Sequence, residues 1–377
     1  MKILFTGGGT GGHVVPLLAV AREIRKIYQG QDHLRFFYMG PKDDFGKALL
    51  SQEDIIVKNV LAGKFRRYPG FESYFQNFIG FVFLIPLGII QSFFRLLFLY
   101  PDIVFSKGGF GSVPVVIAAR MLFIPVVIHE SDIVPGFANK FVSKAARKIL
   151  VSFPGTKYFA YNKMKVTGNA IRKELLAGTK EEAREFFKLG KEKPIILVMG
   201  GSQGAERIND KILEGLPALL QEFEVIHQSG ERNFYRVRNE SRITIEKYKT
   251  LESSYHLFAF LKEPELKYAL AGADLIVSRA GSNTIFEIAA VSKPSILVPL
   301  PEAAQNHQVE NAYAYAATGA CVVMEENNFS SRFFLEKLRF LFANPQELEK
   351  MSRAAREFAR PEAAKMIAQE ILSTVSK

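Results

Sequence analysis

Twice in this chain an apolar run breaks into glycines and then into a helix-forming segment, and that pattern limits what the chain can become. Ile195-Ile196-Leu197-Val198-Met199 runs into Gly200-Gly201-Ser202-Gln203-Gly204, and Ala205 to Leu220 reads as a helix. Lys2 to Phe5 runs into Thr6-Gly7-Gly8-Gly9-Thr10-Gly11-Gly12-His13, and Val14 to Tyr28 reads as a helix. A buried parallel strand ending in glycines before a helix is an anion site in waiting. Glycine admits close backbone approach, and the helix start offers unpaired N–H groups at a positive dipole end. Two such units predict two α/β domains of the nucleotide-binding kind, each holding a ligand group.

The rest of the chain fits that frame. Its 377 residues suit two domains better than one core. A single cysteine, Cys321, rules out a disulfide framework and makes a cytosolic setting the default. There is no HExxH motif and no paired CxxC, and the polar, glycine-rich start MKILFTGGGTGGH does not read as a signal peptide. Neither glycine run ends in GK[ST], which argues against kinases and ATPases. Gly7, Gly9 and Gly12 match GxGxxG, yet the second strand ends Tyr38-Met39-Gly40-Pro41 without the acidic residue that holds a dinucleotide's ribose.

Charge is partitioned. Residues 1–165 carry 21 Lys and Arg against 10 Asp and Glu, whereas the remainder carries 28 of each, so the whole excess of +11 lies in the first part. That part also contains Lys64-Phe65-Arg66-Arg67-Tyr68, then Phe71, Tyr74, Phe75 and Phe78, then 13 residues from Phe78 to Ile90 without a polar side chain. Phe78 to Leu99 is long enough to span a bilayer, but Gln91, Ser92 and Arg95 polarise its second half and Pro86 interrupts it. The favoured reading is helices lying in a membrane interface, basic beside aromatic; a buried core helix and a true span are the alternatives. The patch is too apolar, and too poor in groove-reading motifs, for nucleic acid.

Along the first domain, strands are expected at 34–40, 55–61, 102–106, 124–128, 149–153 and 164–167, and the second domain opens at 179–189. Its strands fall at 195–199, 223–227, 257–260, 274–278, 295–299 and 320–324. Helices lie at 205–220, 263–271 and 306–318, with 331–342 and 346–374 closing the chain. The divisions are 1–167, 168–360 and a final 361–377 helix that reaches back to the first domain. Candidate chemistry gathers at strand ends, where open parallel sheets bind ligands. His13 sits where a helix dipole favours neutral imidazole, the state a general base needs; capping or packing is the plainer alternative. His129-Glu130 could hold a hydroxyl or partner His13, or be structural. Glu287 suits the paired hydroxyls of a ribose, or completes a capping box with Thr284. Gln305, Asn306, His307 and Gln308 suit sugar hydroxyls.

Taken together, Gly7–His13, His129-Glu130 with Pro135-Gly136, Gly200–Ala205, Arg279–Glu287 and His307-Gln308 resemble the MurG family of peptidoglycan glycosyltransferases, over nearly the whole chain. The resemblance implies a GT-B fold, two Rossmann-like α/β domains facing across a cleft. It implies inverting transfer of N-acetylglucosamine from UDP-N-acetylglucosamine to the 4-hydroxyl of undecaprenyl-diphosphate-linked N-acetylmuramoyl-pentapeptide, at the cytoplasmic face of the plasma membrane and in contact with anionic lipids. The implied donor residues are Arg172, Gly201, Ser202, Gln203, Gly204, Arg279, Ala280, Gly281, Glu287, His307 and Gln308. Thr10, Gly11, Gly12, Lys107, Gly108, Gly109, His129 and Asp132 would face the acceptor, with His13 and Glu130 catalytic. No cofactor or metal is required, and Mg²⁺ is at most a stimulant. Two departures stand out: Ser131-Asp132 replaces the family's Gln-Asn, and Lys107-Gly108-Gly109-Phe110 replaces its Phe-Gly-Gly-Tyr. Lys107 then either adds a cation beside an acceptor phosphate or is a surface substitution. The rivals are a related transferase with a diacylglycerol or soluble sugar acceptor, a sugar-nucleotide epimerase, and a non-catalytic lipid-binding module.

Overall fold

The strands alternate between two cores because successive side chains point to opposite faces of a sheet covered on both sides. In β1 (Lys2–Thr6), Ile3 and Phe5 join one apolar cluster and Leu4 the other. The computed structural model describes residues 1–377 except 9–10, 31–32, 64–74, 76–79, 202–203 and 376–377. The basic stretch Lys64–Tyr68, with Phe71, Tyr74 and Phe78, lies outside the described residues, as do Thr10, Ser202 and Gln203. The chain divides into two compact units, Met1–Arg172 with Pro361–Lys377, and Lys173–Arg360.

In the first unit β1 leads to α1 (Gly11–Ile27), β2 (Arg35–Gly40), α2 (Asp44–Gln52) and β3 (Ile56–Asn59). A π-helical turn at Gly80–Leu84 then enters α3 (Ile85–Leu99). Next come β4 (Ile103–Ser106), α4 (Val113–Met121), β5 (Val126–Glu130), α5 (Phe137–Val142), β6 (Lys148–Val151) and β7 (Met164–Val166). All seven strands are parallel, in the order β3-β2-β1-β4-β5-β6-β7. The order reverses between β1 and β4, so a crevice opens at their carboxyl ends.

The second unit starts with α6 (Lys180–Phe187), held by a capping box between Thr179 and Glu182. It continues through β8 (Ile195–Met199), α7 (Glu206–Glu222), β9 (Glu224–Gln228), α8 (Phe234–Lys247), β10 (Tyr255–Phe258) and α9 (Glu263–Gly272). Then follow β11 (Leu275–Ser278), α10 (Ser282–Ala290), β12 (Ser295–Leu297), α11 (His307–Ala316), β13 (Cys321–Val323), α12 (Ser331–Ala343) and α13 (Pro345–Phe358). Its six parallel strands run β10-β9-β8-β11-β12-β13, reversing between β8 and β11. The expected pair of parallel α/β domains is therefore present.

The segment 346–374 is two helices, divided before Pro361. The second, α14 (Ala363–Val375), belongs to the first unit. Its Ala364, Ile367, Ala368 and Ile371 complete the core beneath α1, and Glu370 pairs with Lys148 at 2.7 Å and Lys165 at 2.6 Å.

The apolar stretch is not a core helix. Only Gly88, Ser92 and Leu96, one narrow stripe at helical spacing, are buried in α3, and over Val82–Leu99 the buried share is 17%. Gly88 has to be glycine, since a Cβ there would meet the Leu61 carbonyl oxygen at 2.1 Å. Gln91 and Arg95 do not polarise the outer face. The Gln91 side-chain oxygen accepts from Leu61 N at 2.9 Å, and Arg95 donates to Asn59 O. Pro86 lies in the first turn of α3, where no N–H is needed, so it starts the α-helix after the π-turn. Val82, Phe83, Leu87, Ile90, Phe94 and Phe98 are left exposed, Phe98 to 86%.

Candidate functional site

In the first unit the site grows from β1, β4 and β5. His13 stands in the first turn of α1, packed against bare backbone. A Cβ on Gly8 would lie 2.7 Å from His13 Cδ2, and one on Gly109 would lie 3.1 Å from His13 Nε2 and 2.8 Å from Gly8 Cα. The glycines after β1 and β4 thus make the slot for the imidazole. Gly108 and Gly109 also adopt positive φ, +83° and +80°. His13 Nδ1 lies 3.4 Å from Lys107 O, and because a carbonyl only accepts, a hydrogen bond there requires the ring proton on Nδ1. Gly11 and Gly12 open the same helix.

Behind this turn sits a cluster that the sequence only partly disclosed. Lys107 is no surface residue: it is 3% exposed, and its Nζ meets His129 Nδ1 at 2.7 Å, Asn169 Oδ1 at 2.8 Å and Ser131 Oγ. His129 is fully buried, and its Nε2 donates to Gly168 O at 3.0 Å. Burial, helped by the charge of Lys107, keeps the imidazole neutral by holding its pKa well below 6.5. Burial also lowers the Lys107 amine to about 7, against the pull of Glu130 and Asp132. The Glu130 carboxyl is raised to about 7 by burial and by the charge of Asp132. Its oxygens accept from Asp132 N at 3.0 Å, Gly136 N at 3.2 Å and Asn139 Nδ2 at 2.9 Å, so Glu130 organises the 131–136 loop. Tyr38, whose hydroxyl donates to Gly7 O and Gly8 O, and Asn139 were not singled out in the sequence.

In the second unit the carboxyl ends of β8, β11 and β12 bring together Gly201, Gly204, Arg279, Ala280, Gly281, Glu287, His307 and Gln308. Gly201 and Gly204 have φ of +75° and +78°. Gln228, at the end of β9, braces the loop by donating to Gly201 O at 3.2 Å while accepting from Leu261 N at 3.1 Å. The helix beyond, α7, begins without a side-chain cap. Its first N–H groups have no partner within the helix, and no side chain of the cap residue takes one. The same holds for α10, whose N-cap is Gly281; a Cβ there would meet nothing within 4 Å.

Two expectations change here, the capping box and the unit to which Arg172 belongs. The capping box at Thr284 is absent, because α10 starts at Ser282 and Thr284 is already inside its first turn. Half-buried Glu287 lies one turn further on. Arg279 does not present an unpaired charge: its guanidinium donates to Glu326 at 2.5 Å and Val298 O at 3.1 Å. Arg172 falls at the end of the first unit rather than in the unit of the 200–204 loop. Gln308 uses its side-chain oxygen to accept from Leu300 N at 3.0 Å, which orients its amide NH₂. Gln305 and Asn306 before it hold left-handed backbone, φ +56° and +58°, strain of the kind that gathers at binding loops. Among the described residues no three His, Cys, Asp or Glu side chains come together as a metal site.

Residues 3–151 match the glycosyltransferase family 28 N-terminal domain and residues 195–367 its C-terminal domain. The chain is 37% identical over 349 residues to the UDP-N-acetylglucosamine–N-acetylmuramyl-(pentapeptide) pyrophosphoryl-undecaprenol N-acetylglucosamine transferase of Clostridium tetani, covering 92% of this chain and 91% of that one. It is 35% identical over 372 residues to a transferase of the same description from Bacillus cereus, covering 98% and 99%. Among solved structures, Acinetobacter baumannii MurG superposes with a TM-score of 0.73 at 26% identity, over 99% of both chains. A UDP-GlcNAc 2-epimerase from Neisseria meningitidis gives 0.69 at 17% identity, over 99% of this chain and all of that one, a likeness of fold. By sequence, by both domain matches and by fold, the chain belongs to the MurG family of N-acetylglucosamine transferases.

Proposed function

We propose that His13, with its proton fixed on Nδ1, is the base that activates the acceptor hydroxyl. The reaction is inverting transfer of N-acetylglucosamine from UDP-N-acetylglucosamine to the 4-hydroxyl of lipid-linked N-acetylmuramoyl-pentapeptide. The observation that carries the assignment is the His13 slot: glycine backbone on both sides of the ring, and a carbonyl on Nδ1. Nε2 then takes the proton as the hydroxyl attacks the anomeric carbon from the face opposite UDP. The C1–O bond breaks and its electrons leave with the diphosphate. Negative charge grows there, so N–H dipoles fixed beforehand stabilise the transition state more than the ground state. The uncapped start of α7 and the 200–204 loop, with Ser202 and Gln203 at its tip in the sequence, are suited to that task. Gly11, Gly12 and Gly108-Gly109 line the acceptor's side, and His129, Glu130 and Asp132 shape the loop behind it.

Glu287 holds the ribose hydroxyls in this reading, while His307 and Gln308 hold the sugar. Arg279 acts through its backbone, and Arg172 is assigned to the nucleotide. Glu287→Ala should weaken UDP binding by roughly 10–100-fold, the loss of two hydrogen bonds to a charged group. Calorimetry that returned the wild-type affinity would remove the ribose assignment.

The outer face of α3 enters the headgroup region of an anionic membrane, at the cytoplasmic face of the plasma membrane. Support comes from the row of exposed apolar side chains and from the excess of positive charge in residues 1–165. Replacing Phe83, Phe94 and Phe98 with Ser should release the protein from phosphatidylglycerol vesicles. At about 1.5–3 kcal/mol per buried Phe, partitioning should fall at least ~100-fold. All three are exposed, so Tm should hold; a collapse of Tm with unchanged partitioning would mean that the face packs on protein.

A further inference from the structure

Among the described residues Lys107 is the one buried amine of the first unit's site, and the reaction as described makes no use of it. Its three neighbours are all acceptors. His129 Nε2 donates to Gly168 O, so in the neutral ring Nδ1 bears a lone pair and receives a proton from Lys107 Nζ. Asn169 Oδ1 and Ser131 Oγ receive the other two. Three protons therefore meet three acceptors, supplied by β5, by the loop after it and by the segment after β7. Glu130 and Asp132 are the charged groups whose fields reach this amine, and both favour the ammonium.

The backbone of Lys107 explains why such an anchor matters. Its N–H is tied to Thr6 O at 2.9 Å, but its carbonyl leads into Gly108 and Gly109, both at positive φ. Gly108 sets little intrinsic preference for the plane it shares with Lys107, which is held from the far side by Gly108 N donating to Ser106 Oγ at 3.2 Å. That carbonyl is the one that meets His13 Nδ1. We propose that the Lys107 side chain is a strut: by pinning the end of β4 to His129, Ser131 and Asn169 it aims its own carbonyl at His13 and so fixes which imidazole nitrogen carries the proton. Lys107 is thus a positioning residue for sugar transfer, not a phosphate ligand, since its three donors are spent inside the protein. The chemical role rests on the assignment of His13 as base; the tautomer claim does not.

The test is ¹⁵N–¹³C correlation NMR of histidine-labelled full-length protein at pH 7.5, with the His13 signal assigned by its loss in His13→Ala. Wild type should show a neutral ring protonated at Nδ1. In Lys107→Met the signal should become an average of the two tautomers. The kcat for sugar transfer should fall roughly 10–100-fold while the KM for UDP-N-acetylglucosamine stays within twofold. Ser131→Ala, which removes one acceptor and little volume, should give a weaker version of both changes, and it serves if Lys107→Met does not fold. An Nε2-protonated His13 in the wild type overturns the proposal without any variant, and so does an unaltered tautomer in the two variants. The expected NMR shift with unchanged kcat would leave the strut standing and remove the base role of His13.

Discussion

His13→Ala should lower kcat for sugar transfer by about 10³-fold, near 4 kcal/mol of barrier, and leave the affinity for UDP-N-acetylglucosamine within twofold. The size follows from what is lost: a base seated in the space that the missing Cβ atoms of Gly8 and Gly109 leave, with Lys107 O at Nδ1. The selectivity follows from where the residues lie. His13 belongs to the first unit, and the 200–204 loop with Glu287 belongs to the second. Stability should change little, since the imidazole is only half-buried and its truncation leaves the surrounding glycine backbone in place. Stopped-flow or quench measurements at saturating acceptor read the effect directly. A loss below about tenfold would assign the proton transfer elsewhere.

Gly204→Ala should weaken UDP-N-acetylglucosamine binding by roughly 100-fold or more, whereas Gly201→Ala should weaken it only about 10-fold. Both residues hold positive φ, which costs an L-residue about 1–2 kcal/mol, and that alone accounts for the milder change. The space around them differs. A Cβ on Gly201 meets nothing within 4 Å, but one on Gly204 would stand 2.5 Å from Asn233 Nδ2 and 2.6 Å from Ser229 O. Asn233 can swing aside. The Ser229 carbonyl cannot, because Asn209 Nδ2 donates to it at 2.9 Å, and Asn209 is in turn held by buried, neutral His227. The loop must therefore move away from β9, taking the start of α7 with it. Equal affinities for the two variants would show that the loop's exact path does not matter to the diphosphate.

Most of the parallel strands were legible because they are apolar runs ended by glycine or a polar residue; the described glycines Gly7-Gly8 and Gly200-Gly201 follow β1 and β8 as read, while Gly11 to His13 belong to α1 rather than to the turn. Helix α8 was missed: in Phe234–Lys247 only Val237 and Ser241 are buried, too thin a stripe to register as periodicity. The capping box at Thr284 failed for a local reason, since spacing cannot tell a cap from a first turn. Gln91 and Arg95 read in the sequence as polarising the second half of the 78–99 stretch, whereas they turn inward to the backbone of Leu61 and Asn59. Lys107 was the hardest case. Its partners His129 and Asn169 lie 22 and 62 positions away, on different strand ends, and only the folded sheet brings them together.

The most direct test of the whole account is transfer of labelled sugar from UDP-N-acetylglucosamine by the purified protein in detergent micelles. Lipid-linked N-acetylmuramoyl-pentapeptide is supplied or withheld, and the anomeric configuration of the product is read by NMR. Label is expected in the lipid fraction only when that acceptor is present, in a β-linkage inverted from the α-linked donor. Label released as free sugar, transfer to diacylglycerol instead, or an α-linked product would contradict it.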